Sequence, residues 1–541
     1  MRSILTAIFL FVAAWSHAGD ITVREGESLH NALRQAREWR RTNDARCQGG
    51  ITITIEGRHY MNEPLFLRPE DSGTASSPTV LRGGTLYGDP RQKHTQVWPV
   101  PGQTSPQAGA GVGQTNLLSG SGNGQGAVLM ERMLDFNPAD RTITIPTPPA
   151  DVLGMQGLEM VVHQRWAIAI LRVKAFDVRG SRTVVSFMEP ESRLEFEHPW
   201  PQPVIGASRG NSAFLLRTTE QRDGIEQLVI LDGASHVTFD GVAFEHTCWN
   251  RPRHQGHVTL QGGFPLVDAY KLAQPGLHWD ADLENQAWVV RPVSAVTVRN
   301  AQAVTFTRCS FRHLAATALD YETINGGTVS NCTFEDIGGT AILAGSFAES
   351  PREVHQPYTD LAPQCQGLSI VGNSIHDATN EDWGAVAIAL GYVRHCTIEA
   401  NHVSHVNYSG ICLGWGWTPL PTGMEDNHIV RNVVSDYARQ LYDAGGIYTL
   451  SNQPASSIVG NQISQPYPAP YATNDRGFCI YLDARTDGFS LQGNTTEGRP
   501  LRRDEVGDNH PGPAITFDDH RPGADNTFDD QRPSADNTFD K

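Results

Sequence analysis

Ile370-Val371-Gly372-Asn373-Ser374-Ile375 is one copy of a pattern: an apolar residue, two residues, a buried-type residue, one residue, and an apolar residue. Seven more copies centre on Val242, Cys309, Cys332, Asn401, Asn432, Asn461 and Asn494, from Phe239-x-x-Val242-x-Phe244 to Leu491-x-x-Asn494-x-Thr496. Successive centres lie 67, 23, 41, 28, 31, 29 and 33 residues apart (309 − 242, 332 − 309 and so on), the spacing of stacked structural repeats. The copies are rich in Val, Ile, Phe and Thr and are punctuated by Gly and Asn, with no helical period, so each repeat is built from strands and turns. The expected fold is therefore all-β, a right-handed parallel β-helix. A row of Asn at one position would let each buried amide bond the one above it.

A second ladder follows at Leu319, Ile342, Ile388, Ile411, Ile447 and Ile480. If these side chains point inward, alternation turns the residue three places later outward. Those residues are Glu322, Gly345, Gly391, Gly414, Leu450 and Asp483, which suggests an open glycine floor flanked by acids.

The rest of the chain divides around this core. Residues 1–18 carry Arg2, an apolar run and Ser16-His17-Ala18, the pattern of a secretory signal peptide, so a secreted or periplasmic protein is expected. In residues 19–83, Leu29, Ala32, Leu33 and Ala36 at helical spacing predict a capping helix over 28–41, followed by the first coils. Residues 84–227 read as a Gly-rich linker and an inserted antiparallel β domain, because short alternating strands return there without the ladder motif. Residues 228–494 form the main β-helix, and 495–541 read as an acidic low-complexity tail with an 11-residue repeat (Thr516-Phe517-Asp518, Thr527-Phe528-Asp529, Thr538-Phe539-Asp540). Those aspartates lack the glycine turns and ligand density of a calcium loop.

At 541 residues and a formal charge of −17, the chain is a poor partner for nucleic acid or an anionic membrane. No membrane span is expected after the signal, nor any cofactor or catalytic metal, since no ligand spacing supports one. The eight cysteines include Cys309, Cys332, Cys396, Cys412 and Cys479 on or beside repeat strands, which points to packed thiols rather than disulfides. A monomer is expected.

Several strings together carry a family resemblance: Glu63-Pro64-Leu65 with Pro69-Glu70-Asp71-Ser72-Gly73-Thr74, Phe244-Glu245-His246-Thr247-Cys248-Trp249, Gly384-Ala385-Val386-Ala387-Ile388, Gly410-Ile411-Cys412-Leu413-Gly414-Trp415-Gly416-Trp417, Gly446-Ile447-Tyr448-Thr449-Leu450 and Tyr481-Leu482-Asp483. Over about residues 24–83 and 228–494 the chain resembles glycoside hydrolase family 141, a family of right-handed parallel β-helix enzymes. The resemblance implies cleavage of glycosidic bonds in a plant-type polysaccharide, fucoside- or xylan-like. It also implies a catalytic pair of aspartates at Asp443 and Asp483. After Asp483 this chain has Ala484-Arg485-Thr486 where many relatives have acidic and small turn residues.

The residues themselves lead to the same pair. Acetal hydrolysis needs a proton for the leaving oxygen and an anion or activated water at the anomeric carbon, which two carboxylates supply. Asp443 precedes and Asp483 follows corresponding strands of adjacent coils. Candidate sugar-binding residues are Trp415 and Trp417, expected on one side of their strand as stacking platforms or else packed inside; the strand-end acids and aromatics Glu322, Glu381, Asp382, Trp383 and Tyr448; and the first-coil cluster His246, Trp249, His257 and Gln261. Two alternatives remain: a polysaccharide lyase or epimerase, which would need a basic residue absent from the aligned outward positions, and a non-catalytic glycan-binding β-helix.

Overall fold

The computed structural model describes residues 19–99, 128–198, 201–271, 286–349, 352–353, 364–419, 421–508 and 511–517. The signal peptide, most of the Gly-rich linker and the acidic tail from Asp518 onward lie outside the described residues.

Each turn of the solenoid contributes a strand to three parallel sheets. One turn runs Ile324–Ser330, Thr333–Ile337 and Ile342–Ala344, and these pair in register with Cys365–Val371, Ser374–Ala378 and Ile388–Leu390 of the next. The three faces are sheets of 13, 11 and 10 strands. The aliphatic ladder lies in one row, with Leu319 against Ile342, then Ile388, Ile411, Ile447 and Ile480. All six are fully buried.

The repeated central residue sits at the corner between the first and second faces. Asn373 Nδ2 donates to Asn401 Oδ1 at 2.8 Å, Asn401 to Asn432, Asn432 to Asn461 and Asn461 to Asn494 at 3.0 Å each. Each receiving oxygen also accepts the backbone N–H of the Asn one turn earlier, and each second amide proton goes to a strand carbonyl such as Val329 or Ile370. Every hydrogen-bonding position of the buried amides is thus used. Where Asn gives way to Cys332 and Cys309, phenylalanines stack instead, with Phe239 on Phe306 at 4.7 Å and Phe311 on Phe334 at 4.6 Å. All eight cysteines are free thiols.

The helix Leu29–Arg41 starts at Ser28, whose hydroxyl accepts the Asn31 N–H, and buries Leu29, Ala32, Leu33, Ala36 and Trp39 over the open end of the solenoid. A bidentate pair from Arg37 to Asp71, 2.7 Å for both bonds, ties it down.

The irregular repeat spacings are excursions from the solenoid. After Thr85–Tyr87, still a solenoid strand, the chain forms a 9-stranded sheet that is antiparallel throughout, including Leu158–His163, Ile168–Arg179 and Ala213–Thr219. The steps of 67 and 41 residues hold a small antiparallel sheet, Leu266–Lys271, Gln286–Val289, Ala348–Glu349 and Arg352–Glu353. One excursion strand, His257–Val258, pairs with Ile170 and Ala169 of the inserted sheet and so fastens it to the solenoid.

The sequence boundary at Asn494 is too early. Val506–Asp508 pairs with Ile480–Leu482, and Thr516–Phe517 with Ser490 and Leu491, so part of the expected tail forms a final coil. Its low apolar content hid it, because a terminal coil buries only one side.

Removing one rung of the amide ladder tests the fold directly. Asn432→Ala would strand buried partners on Asn401, Asn461 and the Ile398 carbonyl. Chemical denaturation should then show a loss of about 3 kcal/mol or more, whereas an unchanged midpoint would mean that the amides contribute nothing net.

Candidate active site

Asp443 lies at the corner leading into the strand Ala444–Thr449, and Asp483 just beyond the strand Gly477–Leu482 of the next coil. Ile447 and Ile480 point inward, so their neighbours Tyr448 and Tyr481 turn outward, in register one coil apart. The Tyr448 hydroxyl donates a short hydrogen bond to Asp483 Oδ2, and Gln261 Nε2 donates to the Tyr448 oxygen at 3.3 Å. Tyr408 donates to the Asp443 carbonyl at 3.0 Å. Burial pushes all three tyrosine hydroxyls well above their ordinary range, and the Asp483 charge pushes each of them the same way. Asp443 does so for Tyr408 and Tyr481. The two acids therefore share one aromatic enclosure.

Asp443 sits in a left-handed backbone conformation (φ +63°), its N–H donating to the Arg476 carbonyl at 2.6 Å. Only 15% of its side chain is exposed, and Oδ1, 3.9 Å from Arg476 Nη1, accepts no hydrogen bond. Burial raises its carboxyl to about 6; Arg476 opposes this, Asp483 adds to it, and Arg165 opposes it further.

Arg165 belongs to the inserted domain. Its carbonyl accepts the Tyr442 N–H at 3.1 Å, next to Asp443. Trp166 Nε1 donates to the Leu260 carbonyl at 2.9 Å. A Cβ on Gly384 would lie 3.1 Å from Ala167, so this segment rests directly on the solenoid corner. Close by, His163 Nε2 donates to the Gln440 carbonyl at 2.6 Å. Total burial brings that imidazole down to about 4, which keeps it neutral.

The structure gathers some of the sequence candidates and disperses others. Asp443, Asp483, Tyr448 and Gln261 meet at one place. Trp249 and His257 line a separate cavity. His246 stacks on His313 at 5.0 Å, and Glu322 lies by the Arg291–Asp320 pair. Three expectations need correction. The glycine floor is closed: a Cβ on Gly391 would meet the Ser346 carbonyl at 2.3 Å, and one on Gly414 the Leu450 carbonyl at 2.3 Å. These glycines permit close backbone approach, not a sugar ring. Trp415 and Trp417 are buried, edge to face at 4.8 Å, with Trp415 against Phe264 and Phe347; Trp383 is buried as well. They pack the excursions onto the solenoid instead of forming platforms.

Glu381 is the third correction, for it is held inside an ion cluster. His94 Nε2 lies at 2.9 Å, Arg217 Nη1 at 3.7 Å and Arg91 Nη1 at 3.9 Å. Basic residues also stand near the acids after all: Arg476 and Arg165 were missed because one occupies the corner column and the other comes from the insertion. Tyr408 and Tyr481 were missed as well, though the Tyr448–Tyr481 register was available from the ladder.

Comparison with known proteins meets this geometry. The family model for the GH141 insertion domain matches residues 121–223, and that for the right-handed β-helix region matches residues 294–496. A solved structure titled "Glycoside hydrolase" is 32% identical, covers 92% of this chain and 96% of its own, and superposes with a TM-score of 0.79. The chain belongs to glycoside hydrolase family 141. As a glycoside hydrolase it acts on carbohydrate. A XylC structure with xylose (10% identity, 83% of this chain, 65% of that one, TM-score 0.37) and the A-module of the Azotobacter vinelandii mannuronan C-5 epimerase AlgE6 (11%, 90%, 93%, 0.34) are too distant to bear on function. Comparison with curated proteins gave no match. No helix among the described residues is long and apolar enough to cross a membrane.

The Glu381 cluster generates a stability prediction for this hydrolase. Burial pushes its carboxyl up, but His94, Arg217 and Arg91 outweigh burial and bring it down to about 2. A depressed carboxyl stabilises the fold above its unfolded pKa, near 4.3, and that contribution drains away as pH falls toward about 2. Glu381→Gln, which leaves buried cations facing a neutral amide, should cost about 3 kcal/mol at pH 7 and flatten the acid limb of a plot of melting temperature against pH. An unaltered acid limb would refute this role.

Proposed function

We propose that Asp443 and Asp483 are the catalytic carboxyls of this hydrolase, with Asp443 as the proton donor to the leaving oxygen. The observation that carries this assignment is the Asp443 carboxyl, raised to about 6 and with Oδ1 unbonded. A carboxylic acid that keeps its proton at mildly acidic pH and has an uncommitted oxygen suits general acid catalysis. Asp483 takes the complementary part, as nucleophile or as base toward water. Its carboxyl is anchored by Tyr448, which Gln261 steadies in turn. Arg476 and Arg165 limit how far the Asp443 pKa rises, so the proton is still released within the working range.

The proposed substrate is a plant-type polysaccharide of fucoside or xylan character, the class that the family resemblance implies. Gln261 and Tyr448 are the groups placed to meet its hydroxyls. Lyase chemistry would call on Arg476 or Arg165 as base; Asp443, the foremost influence raising Arg476 against the lowering by burial, keeps that guanidinium protonated, which disfavours it as a base.

Asp443→Asn and Asp483→Asn should each reduce turnover by at least about 100-fold, measured as reducing ends released from fucosylated oligosaccharides and xylan. Full activity in either variant would remove that residue from the chemistry, and an unsaturated, ultraviolet-absorbing product would replace hydrolysis with elimination. Wild-type kcat/KM should fall about tenfold per pH unit above about pH 6 as Asp443 loses its proton.

The same residue should show in stability with the opposite sign to Glu381. A raised carboxyl binds more protons folded than unfolded, so its contribution is complete below the unfolded pKa near 3.9 and is lost as pH rises through about 6. Asp443→Asn should therefore raise the melting temperature at pH 7–8, by up to on the order of 2 kcal/mol, and do nothing at pH 4. A uniform destabilisation at both pH values would contradict the buried-acid picture.

A further inference from the structure

The excursion that carries His257 walls a cavity of about 330 Å³ against an earlier stretch of the corner that holds Asp443. Trp249, Arg251, His257, Arg291, Glu226 and Asp382 are among its lining residues, and no lining residue belongs to the Asp443–Asp483 cluster. Trp166 and Ala167 rest on Gly384, in the corner column between Ala315 on the cavity wall and Asp443. The volume is in the range of small-molecule sites, about 300–1,000 Å³.

The charges around the cavity are unevenly partnered. Arg291 is satisfied by both oxygens of Asp320, at 2.6 Å each, and His254 faces Asp223 at 2.7 Å. Arg251 is different. Its Nη2 donates to the Leu266 carbonyl at 2.8 Å, its Nε is buried without a partner, and no carboxylate lies within 4 Å of it among the described residues. Burial pulls this guanidinium down to about 10, the mark of a cation lacking its counter-ion. Glu226 lines the same cavity but is occupied by the Asn250 N–H at 2.8 Å, and burial raises its carboxyl, so it supplies a weak counter-charge.

The other side chains select for more than charge. His257 Nε2 donates to Asp382 Oδ2 at 3.0 Å, which leaves Nδ1, buried and unpartnered, as an acceptor. An acceptor of this kind suits a hydroxyl. The Trp249 indole, edge to face with His257 at 4.6 Å, offers an apolar wall of the kind that suits the face of a sugar ring.

We propose that this cavity is a second carbohydrate site, which binds a uronic acid residue through its carboxylate on Arg251, a hydroxyl on His257 and the ring face on Trp249. It would hold an acidic sugar of the glycan apart from the bond being cleaved. The site stands independently of the roles of Asp443 and Asp483, since free monosaccharides probe it without turnover.

The test is titration of the full-length protein with D-galacturonate and D-glucuronate, followed by calorimetry or saturation-transfer NMR, with D-galactose, D-glucose and acetate as comparisons. One or both uronates should bind, the neutral sugars and acetate at least about 10-fold more weakly, and Arg251→Gln should lose at least about 10-fold in uronate affinity. Glu226→Gln, which removes a like charge and keeps the Asn250 bond, should bind uronate as tightly or more tightly; this arm decides if Arg251→Gln fails to fold. Failure of both uronates to bind, equal binding of a neutral sugar, acetate binding as well as uronate, undiminished binding by Arg251→Gln, or weaker binding by Glu226→Gln would each overturn the proposal.

Discussion

Parallel stacking at a single register governs this molecule. Once each coil pairs residue for residue with the next, every position becomes a column, and a column of buried side chains must satisfy itself along its own length. Asparagine does this uniquely well, because one amide offers two donors and an acceptor that takes two bonds. The ladder from Asn373 to Asn494 uses all of them. The same rule puts Asp443 and Arg476 in one corner column and Tyr448 above Tyr481 on one face, so the site is assembled by the coil register before any loop takes part.

Two buried acids show how neighbours, not burial, decide a carboxyl's use. Glu381 and Asp443 are both withdrawn from water. The first is surrounded by three cationic side chains and is brought down to about 2; the second has two guanidiniums nearby, one of them 3.9 Å away, and an adjacent carboxyl, and stands at about 6. One is a structural clamp between the insertion and the solenoid. The other holds a proton that it can give away. Electrostatics distinguishes them where residue type and position beside a strand do not.

What was legible in the sequence was whatever repeats along the chain. The amide and aliphatic ladders, the capping helix and the antiparallel character of the insertion all follow from local periodicity. Alternation also identified which residues leave the solenoid, but it carries no information about what covers them outside. Gly391 and Gly414 were read as open floor and are pressed against the backbones of Ser346 and Leu450. Trp415 was read as a possible platform and is enclosed by Phe264 and Phe347. Arg165 comes from 278 residues upstream of Asp443 (443 − 165), a separation that no repeat could encode. The final coil escaped notice because a terminal layer needs fewer apolar residues than the ones beneath it.

The placement of the insertion also bears on the order in which the chain can assemble. To seat Leu65 on Val229 the chain must close a loop of 164 residues (229 − 65), whereas seating Ile447 on Ile480 closes only 33 (480 − 447). The difference is about 1.4 kcal/mol of closure entropy, enough to favour nucleation among the later coils, where contacts are near in sequence. The N-terminal coils, although synthesised first, lack the neighbour they stack on until the inserted sheet has been made. Their capping helix then serves as the closing piece of assembly, and the ribosome delivers the foundation last.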